Sequence, residues 1–322
     1  MWKMGTADVI ITVYKPDGRL IRLIRGLLGQ TVLPGRIILM VTQKEPDATA
    51  DRIRNRIETE LTDRPVKGRG CVRLIFDSVT EREFDHGGTR HAGALHSDAD
   101  YLIYMTQDAV PADNRLFERL LAPFEDPKTG AAYARQLVFP GADAIEQYTH
   151  LFNYPPESRI KTRGDIDKLG IKAYFCSDVC AAYRRSVYDE AGGFVRHTIF
   201  NEDMLMAAAI LDLGYSVCYE ADAMVYHSHQ YTALQQFRRN FDLGVSHRQY
   251  REVFGRVRTE SEGIRLVKNT ARYLVRTGNS FLLPRLFLHS ACKYTGYLLG
   301  RNYDRLPERV VRMCSMCRHY WK

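Results

Sequence analysis

Residues 7–14 have the sequence ADVIITVY, and the turn-forming segment KPDG follows at residues 15–18. A short apolar segment that is rich in β-branched residues and closed by such a turn predicts a buried β-strand. Residues 19–30 then carry apolar side chains at the spacing of an amphipathic helix. These side chains are Leu20, Leu23, Ile24, Leu27 and Leu28.

The alternation of strand and helix patterns continues to residue 106. Further strands are predicted at residues 36–41 (RIILMV), 72–76 and 101–106 (YLIYMT), with helices at about 47–62 and 89–97. This alternation is typical of an α/β fold, in which an open, mostly parallel sheet is flanked by helices.

Polar residues follow the predicted strands. Ligands of such sheets bind beyond the carboxyl ends of the strands, so polar side chains at those ends should converge on one site. The residues in these positions are Thr12, Tyr14, Gln43, Asp77, Gln107 and Asp108.

The remainder of the chain is less regular. We predict helices at 115–124 and 202–213, and strands at 131–139, 173–182, 215–219 and 223–226. Beyond residue 230 the pattern is helical, with no further strand signal. We therefore divide the chain into an α/β domain, 1–232, and a helical, basic extension, 233–322.

Composition limits the class of protein. The chain has 322 residues, of which 45% are apolar, so it is not a disordered protein. The chain has seven cysteines, which is an ordinary content for this length, and an odd number of cysteines cannot all pair. The count therefore favours a reducing, cytoplasmic compartment over a disulfide framework. The N-terminus lacks the apolar core of a signal peptide.

The positive charge is concentrated in the extension. Residues 230–322 contain 18 Lys or Arg and 6 Asp or Glu, whereas residues 1–229 have a net charge of −4. A basic segment of this kind predicts an anionic partner, either nucleic acid or a membrane surface. The extension has no zinc-finger, helix-turn-helix or RNA-binding signature, so a nucleic-acid partner is not favoured.

Three short segments carry residues suited to catalysis. Asp108 follows a strand, where its carboxylate could bind Mg²⁺ or Mn²⁺ or could cap a turn. Asn201-Glu202-Asp203 could begin a helix, with Asn201 as its cap, or could supply a general base. His227 and His229 lie on the same face at a strand end, as metal ligands or as incidental polar residues.

Five motifs follow one another along the chain. They are Thr12-x-Tyr14-x-Pro16, Phe84-x-His86-Gly87-Gly88-x-Arg90, Thr106-Gln107-Asp108-Ala109, Asn201-Glu202-Asp203 and His227-Ser228-His229-x-Tyr231-Thr232. In this order they resemble the motifs of family 2 glycosyltransferases, and most closely those of bacterial rhamnosyltransferases that extend surface polysaccharides. The resemblance covers about residues 6–245.

The resemblance implies a GT-A fold and an inverting, metal-dependent transfer from a nucleotide-diphosphate sugar. Residues 1–110 would bind the nucleotide sugar and residues 111–232 the acceptor. A cation and an arginine would offset the charge of the departing diphosphate, while a base on another segment deprotonates the acceptor hydroxyl.

The resemblance also implies roles for individual residues. Asp108 and His227 would hold Mg²⁺ or Mn²⁺, with His229 as the alternative to His227. Asp203 would be the catalytic base and Glu202 its neighbour. Ser177 and Asp178 would lie on the acceptor side. The residues expected to bind the nucleotide sugar are Thr12, Tyr14, Gln43, Arg90, Gln107 and Asp108, with Arg90 near the diphosphate.

The implied reaction is the addition of L-rhamnose from dTDP-β-L-rhamnose to a lipid-linked or growing glycan. Two alternatives stay open at this point. The enzyme could use another nucleotide sugar, such as a UDP-hexose or UDP-N-acetylhexosamine, because pocket contacts rather than motif spacing select the sugar. The chain could also be a non-catalytic subunit of a glycan-assembly complex.

The extension predicts peripheral attachment to a membrane. Residues 281–299 are interrupted by Pro284, Arg285, His289 and Lys293, so they do not suit a spanning helix. A basic amphipathic helix on the anionic inner face of the cell membrane fits better. Packing against the α/β domain, or against a second copy in a homodimer, is compatible with this prediction.

Overall fold

The computed structural model describes residues 5–44, 49–63, 66, 69–257 and 260–321. The strands are β1 (Ala7–Val13), β2 (Arg36–Gln43), β3 (Arg73–Thr80), β4 (Tyr101–Thr106), β5 (Val110–Pro111), β6 (Thr129–Leu137), β7 (Arg159–Lys161), β8 (Cys180–Arg184) and β9 (Ser216–Tyr226). The helices of the α/β part are α1 (Gly18–Leu28), α2 (Thr49–Asp63), α3 (His86–Ala94), α4 (Leu116–Leu121), α5 (Ala144–Asn153), α6 (Ile166–Leu169), α7 (Arg185–Glu190) and α8 (Glu202–Asp212). The C-terminal helices are α9 (Ala233–Gln249), α10 (Arg251–Phe254), α11 (Glu260–Arg276), α12 (Leu283–Gly300) and α13 (Glu308–Cys314).

The nine strands of the described residues form one open sheet in the order β3-β2-β1-β4-β8-β6-β9-β5, with β7 also paired to β9. Parallel pairing joins β3, β2, β1 and β4, and again β6 and β9. Antiparallel β8 lies between these two groups. The predicted α/β fold, with a mostly parallel sheet flanked by helices, is confirmed.

Side chains of β1 show how the sheet is sandwiched between two apolar layers. Val9 and Ile11 pack with Leu23 of α1 on one face. Ile10 packs on the other face, where the close approach of α3 requires glycine at position 93. Both faces are covered, so the strand is apolar at nearly every position, as its sequence predicted.

Several predicted elements differ from those observed. Strand β3 continues to Thr80, so Asp77 lies inside the strand instead of at its end, and its carboxylate contacts His96 at 2.8 Å. Residues 173–179 are not a strand, and β8 begins only at Cys180. The two strands predicted at 215–226 are one strand, β9, with a register shift against β6.

Two helices also differ. Helix α3 begins at His86, inside the predicted glycine motif, because Asp85 caps it by accepting a hydrogen bond from the Gly88 N–H at 2.7 Å. Helix α5 was not predicted. The start of the helix predicted over 47–62 lies partly outside the described residues, within which α2 begins at Thr49.

The extension is helical, as predicted, and packs on the α/β part through α9. The Ser246 hydroxyl of α9 donates to the Phe200 carbonyl at 2.7 Å and accepts from the Asn201 amide at 3.2 Å. Helix α12 lies against α9 at a close approach through Gly296 and Gly300. In the described part of the chain, no helix combines the length and the apolar character needed to cross a membrane.

Candidate active site

Asp108, His227 and His229 come together beyond the ends of two strands. Asp108 lies in the turn after β4, and the histidines follow β9. A carboxylate oxygen of Asp108 lies 3.6 Å from His227 Nε2, and the other oxygen lies 3.2 Å from His229 Nε2. The two Nε2 atoms are 3.1 Å apart, and one ligand atom from each residue lies within 4.8 Å of the others. This arrangement is a candidate metal site.

The chemistry of the three side chains fits a divalent cation. Burial lowers the pKa of His227 to about 3 and also lowers the pKa of His229. Both imidazoles are therefore neutral at physiological pH and present lone pairs. One carboxylate and two neutral imidazoles form a donor set that suits a divalent transition metal. Both histidines belong to the cluster, so their positions do not single out one of them as the ligand.

Gln136 orients His227 within this cluster. The Oε1 atom of Gln136 lies 3.0 Å from His227 Nδ1 and can only accept a hydrogen bond, so Nδ1 carries the proton and Nε2 is free to bind a metal. The amide nitrogen of Gln136 donates to Ser177 Oγ at 2.9 Å and to the hydroxyl of Tyr154.

A second cluster contains three carboxylates around one arginine. The Arg90 guanidinium lies 2.8 Å from Glu202 and 3.4 Å from Asp178. Asp203, the next residue on α8, accepts hydrogen bonds from the N–H groups of Met204 at 2.7 Å and Asp178 at 3.5 Å. Asp203 is half-buried, whereas Glu202 and Asp178 are buried.

Arg90 lies in the acidic cluster and not at the open edge of the site. Arg90 was expected beside the donor diphosphate, but it is 6% exposed and its guanidinium is held by Glu202 and Asp178. A buried guanidinium requires carboxylate partners to offset its loss of hydration. Gly87, in the same motif, is required for packing, because a side chain at this position would collide with the Val195 carbonyl.

The carboxylates of this cluster differ in their affinity for protons. Burial raises the pKa of Asp203 well above its ordinary range, and the charges of Glu202 and Asp178 raise it further. Burial raises the pKa of Asp178 to about 7, although Arg90 opposes the shift. Burial acts on Glu202 as well, but Arg90 and other nearby groups outweigh it and leave that pKa lowered. Asp203 is thus the member best suited to take up a proton.

The start of α8 differs from a simple capped helix. Asn201 was considered as its cap, but its side chain makes no capping hydrogen bond and donates to Ser246 instead. Its backbone lies in the left-handed region, with φ of 68°. Backbone conformations of this kind concentrate at functional sites. The segment places two acidic residues in the first turn, where the helix dipole favours negative charge.

The two clusters are connected. Gln136 contacts His227 on one side and Ser177 on the other, and the residue after Ser177 is Asp178, whose N–H faces Asp203. The residues predicted for the metal, the acceptor side and the base therefore lie along one continuous path, although they are far apart in the sequence.

The residues predicted to bind the nucleotide lie at the same edge of the sheet. The Gln107 side chain exchanges two hydrogen bonds with the backbone of Tyr14, at 2.8 and 2.9 Å. Thr12 is paired with Thr106 in the register of β1 and β4. Gln43 ends β2, where its amide nitrogen bonds Ser78 at 3.3 Å and its buried amide oxygen has no partner among the described residues.

Two functional candidates were missed. Arg19, in the first turn of α1, lies 3.3 Å from the Asp108 carboxylate. Gln136 lies near the carboxyl end of β6. A search for polar side chains near the carboxyl ends of strands in the second half of the sheet would have found Gln136. Extending that search to the first helix turn after β1 would have found Arg19.

Comparison with known proteins gives consistent results. A family model described as glycosyl transferase family 2 matches residues 8–192. The O-antigen chain rhamnosyltransferase RfbN of Salmonella typhimurium is 42% identical over 251 residues, which are 77% of this chain and 79% of that protein. WbaN of Salmonella anatum, also named an O-antigen chain rhamnosyltransferase, is 40% identical over 247 residues, or 76% and 78% of the two chains.

Solved structures share the fold at low sequence identity. The mannosyltransferase PcManGT from Pyrobaculum calidifontis, in complex with GDP-Man and Mn²⁺, superimposes with a TM-score of 0.58 and 15% identity, covering 99% of this chain and 85% of that one. TarS 1-349 of S. aureus, in complex with UDP-GlcNAc, gives a TM-score of 0.50 and 12% identity, covering 93% and 91%.

Proposed function

Because the chain belongs to glycosyltransferase family 2, we propose that it transfers L-rhamnose from dTDP-β-L-rhamnose to a growing cell-surface polysaccharide. Two relatives that are 40–42% identical over about three-quarters of the chain carry the name O-antigen chain rhamnosyltransferase, which supports this sugar and this class of acceptor. Inversion at the anomeric carbon, the dTDP carrier and a lipid-linked form of the acceptor are further parts of the proposal.

The observation that carries the proposal is the path from the Asp108/His227/His229 cluster to Asp203. A single-displacement transfer needs positive charge at the leaving diphosphate and a base at the attacking hydroxyl, held on different segments. The strand ends after β4 and β9 supply the first group, and the start of α8 supplies the second.

In this proposal Asp108, His227 and His229 hold the metal. When bound, a divalent cation offsets the negative charge that develops on the nucleoside diphosphate. Mn²⁺ accepts both oxygen and imidazole ligands, whereas Mg²⁺ prefers oxygen, so this donor set favours Mn²⁺. Arg19 takes the role first given to Arg90, because its guanidinium lies 3.3 Å from Asp108 and 29% of its side chain is exposed.

Asp203 is the proposed base. Its raised pKa makes it a stronger proton acceptor than an ordinary aspartate, and its partial exposure leaves it accessible to an acceptor hydroxyl. Glu202 is occupied by Arg90, so it positions that arginine and does not take the proton. Ser177 and Asp178 border the path between the clusters, which supports their place on the acceptor side.

The nucleotide is assigned to the edge formed by Thr12, Tyr14, Gln43 and Gln107. Tyr14 is 40% exposed, and its ring, with the Lys15 ammonium 4.6 Å from its centre, offers a surface on which a base could stack. The unpaired amide oxygen of Gln43 could accept a hydrogen bond from the base. Gln107 holds the Tyr14 backbone in place.

Substitution of the base tests the mechanism. We expect Asp203→Asn to lower rhamnosyl transfer by about 10²- to 10⁴-fold, the usual contribution of a general base, without loss of fold. Asp212→Asn is the matched control, because Asp212 lies at the other end of α8 and pairs with exposed Arg256. Release of dTDP and formation of glycosylated product are measured at several pH values. Full activity of folded Asp203→Asn would exclude this base.

A panel of donors tests the sugar. The purified chain is given dTDP-rhamnose, UDP-hexoses and UDP-N-acetylhexosamines, with Mn²⁺ or Mg²⁺, and sugar transfer is measured by mass spectrometry. We expect turnover of dTDP-rhamnose. Turnover of a UDP-sugar alone would assign a different donor to the same fold, and nucleotide binding without any turnover would indicate a non-catalytic subunit.

A further inference from the structure

The outward face of α12 is apolar along its whole length. Among its residues, Phe287, Leu288 and Tyr294 are 56%, 57% and 59% exposed. The exposed residues of this face recur every three or four positions and include no charged side chain. They are Pro284, Phe287, Leu288, Ala291, Tyr294, Thr295, Leu298 and Leu299. Phe281, just before the helix, is 75% exposed. A contiguous apolar face of this kind marks an interaction surface.

The opposite side of α12 is fixed against α9. Gly296 and Gly300 are buried there, and a side chain at either position would collide with the backbone of α9. Rotating α12 about its axis to bury the apolar face would bring bulky residues into this close approach. The outward face is therefore a permanent feature of the surface.

Cations outnumber acids in the segment that carries this face. Residues 263–303 contain no Asp or Glu, and their seven cations are Arg265, Lys268, Arg272, Arg276, Arg285, Lys293 and Arg301. Two of them have carboxylate partners elsewhere, since Arg285 pairs with Asp143 at 2.8 Å and Arg265 with Glu262 at 2.7 Å. At about 100° per residue, Arg285 and Arg301 fall at the two margins of the outward face. On α11, the exposed cations at 265, 268, 272 and 276 share one side of the helix, next to exposed Ile264 and Val275.

We propose that the outward face of α12, together with the cations of α11, is the surface by which the protein binds an anionic lipid bilayer. The apolar side chains enter the boundary between headgroups and acyl chains, and the arginines and lysines contact anionic headgroups. The inference deepens the proposed function, because it rests on an acceptor that is carried by a membrane lipid.

A lipid surface fits this face better than a second copy of the chain does. A two-fold symmetric interface would place the same cationic margins against each other, and the carboxylates next to them, Asp143 and Glu262, are already paired with Arg285 and Arg265 of the same chain. A bilayer that contains anionic lipids supplies the missing negative charge. A nucleic acid would supply charge but would leave the phenylalanine and leucine side chains without an apolar partner.

Binding of the full chain to vesicles tests the proposal. We expect binding to vesicles of phosphatidylglycerol and phosphatidylethanolamine, weaker binding at high salt, and little binding to phosphatidylcholine vesicles. The double variant Phe287→Ser/Leu288→Ser should bind about tenfold more weakly or worse, since two large side chains no longer leave water. Arg272→Gln/Arg276→Gln should lose about fivefold for each cation.

Two controls separate this inference from the proposed function. Leu95→Ser removes an exposed leucine, 71% accessible, at the end of α3 and should leave vesicle binding unchanged. Transfer to a short-chain, water-soluble acceptor should persist in Phe287→Ser/Leu288→Ser. If the unmodified chain shows no transfer to this acceptor, the proposed function is overturned, whereas the membrane proposal is not.

The membrane proposal is overturned if the unmodified chain ignores anionic vesicles or if Phe287→Ser/Leu288→Ser binds them normally. It is also overturned if light scattering shows a dimer that this double variant dissociates, since the face would then join two copies. Salt-sensitive binding to DNA without binding to vesicles would contradict it as well.

Discussion

Gln136 joins two parts of the candidate site through hydrogen bonds. It accepts from His227, donates to Ser177 and Tyr154, and is 6% exposed. Both ends of its amide are therefore engaged, which fixes the ring of His227 and links the Asp108/His227/His229 cluster to Ser177. Partners of this kind commonly tune the affinity of a metal site.

Gln136→Leu should weaken the binding of Mn²⁺ by about 10- to 100-fold, because His227 loses the acceptor that selects its tautomer. Titration calorimetry or electron paramagnetic resonance with Mn²⁺ alone measures this directly. Gln147→Leu, a change in the exposed side chain that bonds only the Ala142 carbonyl, is the control. An unchanged affinity for Mn²⁺ in Gln136→Leu would show that His227 does not need this partner.

At the scale of elements, the contact between α9 and α12 sets where the exposed face of α12 points. Gly300 lies against Phe241 and Val245, and Gly296 lies against Phe237. Because the two glycines have no side chain, the backbones of α9 and α12 approach each other closely. The pair is a local feature of sequence, Gly-x-x-x-Gly, but only the contact with α9 gives it a structural role.

Gly300→Val should destabilise the protein by about 1–3 kcal/mol, because the added side chain forces the two helices apart. Gly263→Ala is the matched control, since a methyl group there meets no atom within 4 Å and alanine favours the helix by about 1 kcal/mol. Urea unfolding of both variants gives the free energies. Equal stability of Gly300→Val and the unmodified chain would show that the helices can separate without cost.

At the scale of the whole molecule, the helical extension is joined to the catalytic part through α9 and α10. Ser246 bonds Phe200 and Asn201 directly before Glu202 and Asp203, and Phe254 belongs to the same apolar cluster as Met204 and Leu205 of α8. The boundary predicted at residue 232 therefore runs through a set of contacts that support the site.

A chain truncated after Thr232 should fail to unfold cooperatively and should lose transfer activity, because the Phe200–Asn201 segment would lose its partner in α9. Thermal unfolding followed by circular dichroism, and sugar transfer by the soluble fraction, are compared with those of the full chain. Cooperative unfolding with normal transfer by the truncated chain would establish residues 1–232 as an independent domain.

Much of the fold and the identity of the main catalytic candidates could be predicted from the sequence. The apolar runs of β1 and β4 and the leucine spacing of α1 are local patterns, and each specifies its element without reference to the rest of the chain. Asp108 and Asp203 were singled out as candidates because one follows an apolar strand and the other lies in the first turn of a helix, while their expected roles came from the family resemblance.

Contacts between distant residues could not be predicted in this way. The pairing of Arg90 with Glu202 and Asp178, the place of Arg19 beside Asp108 and the bridge made by Gln136 all join segments that only packing brings together. The single strand β9 and the inner position of Asp77 depend on register between strands. Local periodicity carries information about the backbone of each element, whereas the partner of a buried charge is decided by how the elements pack.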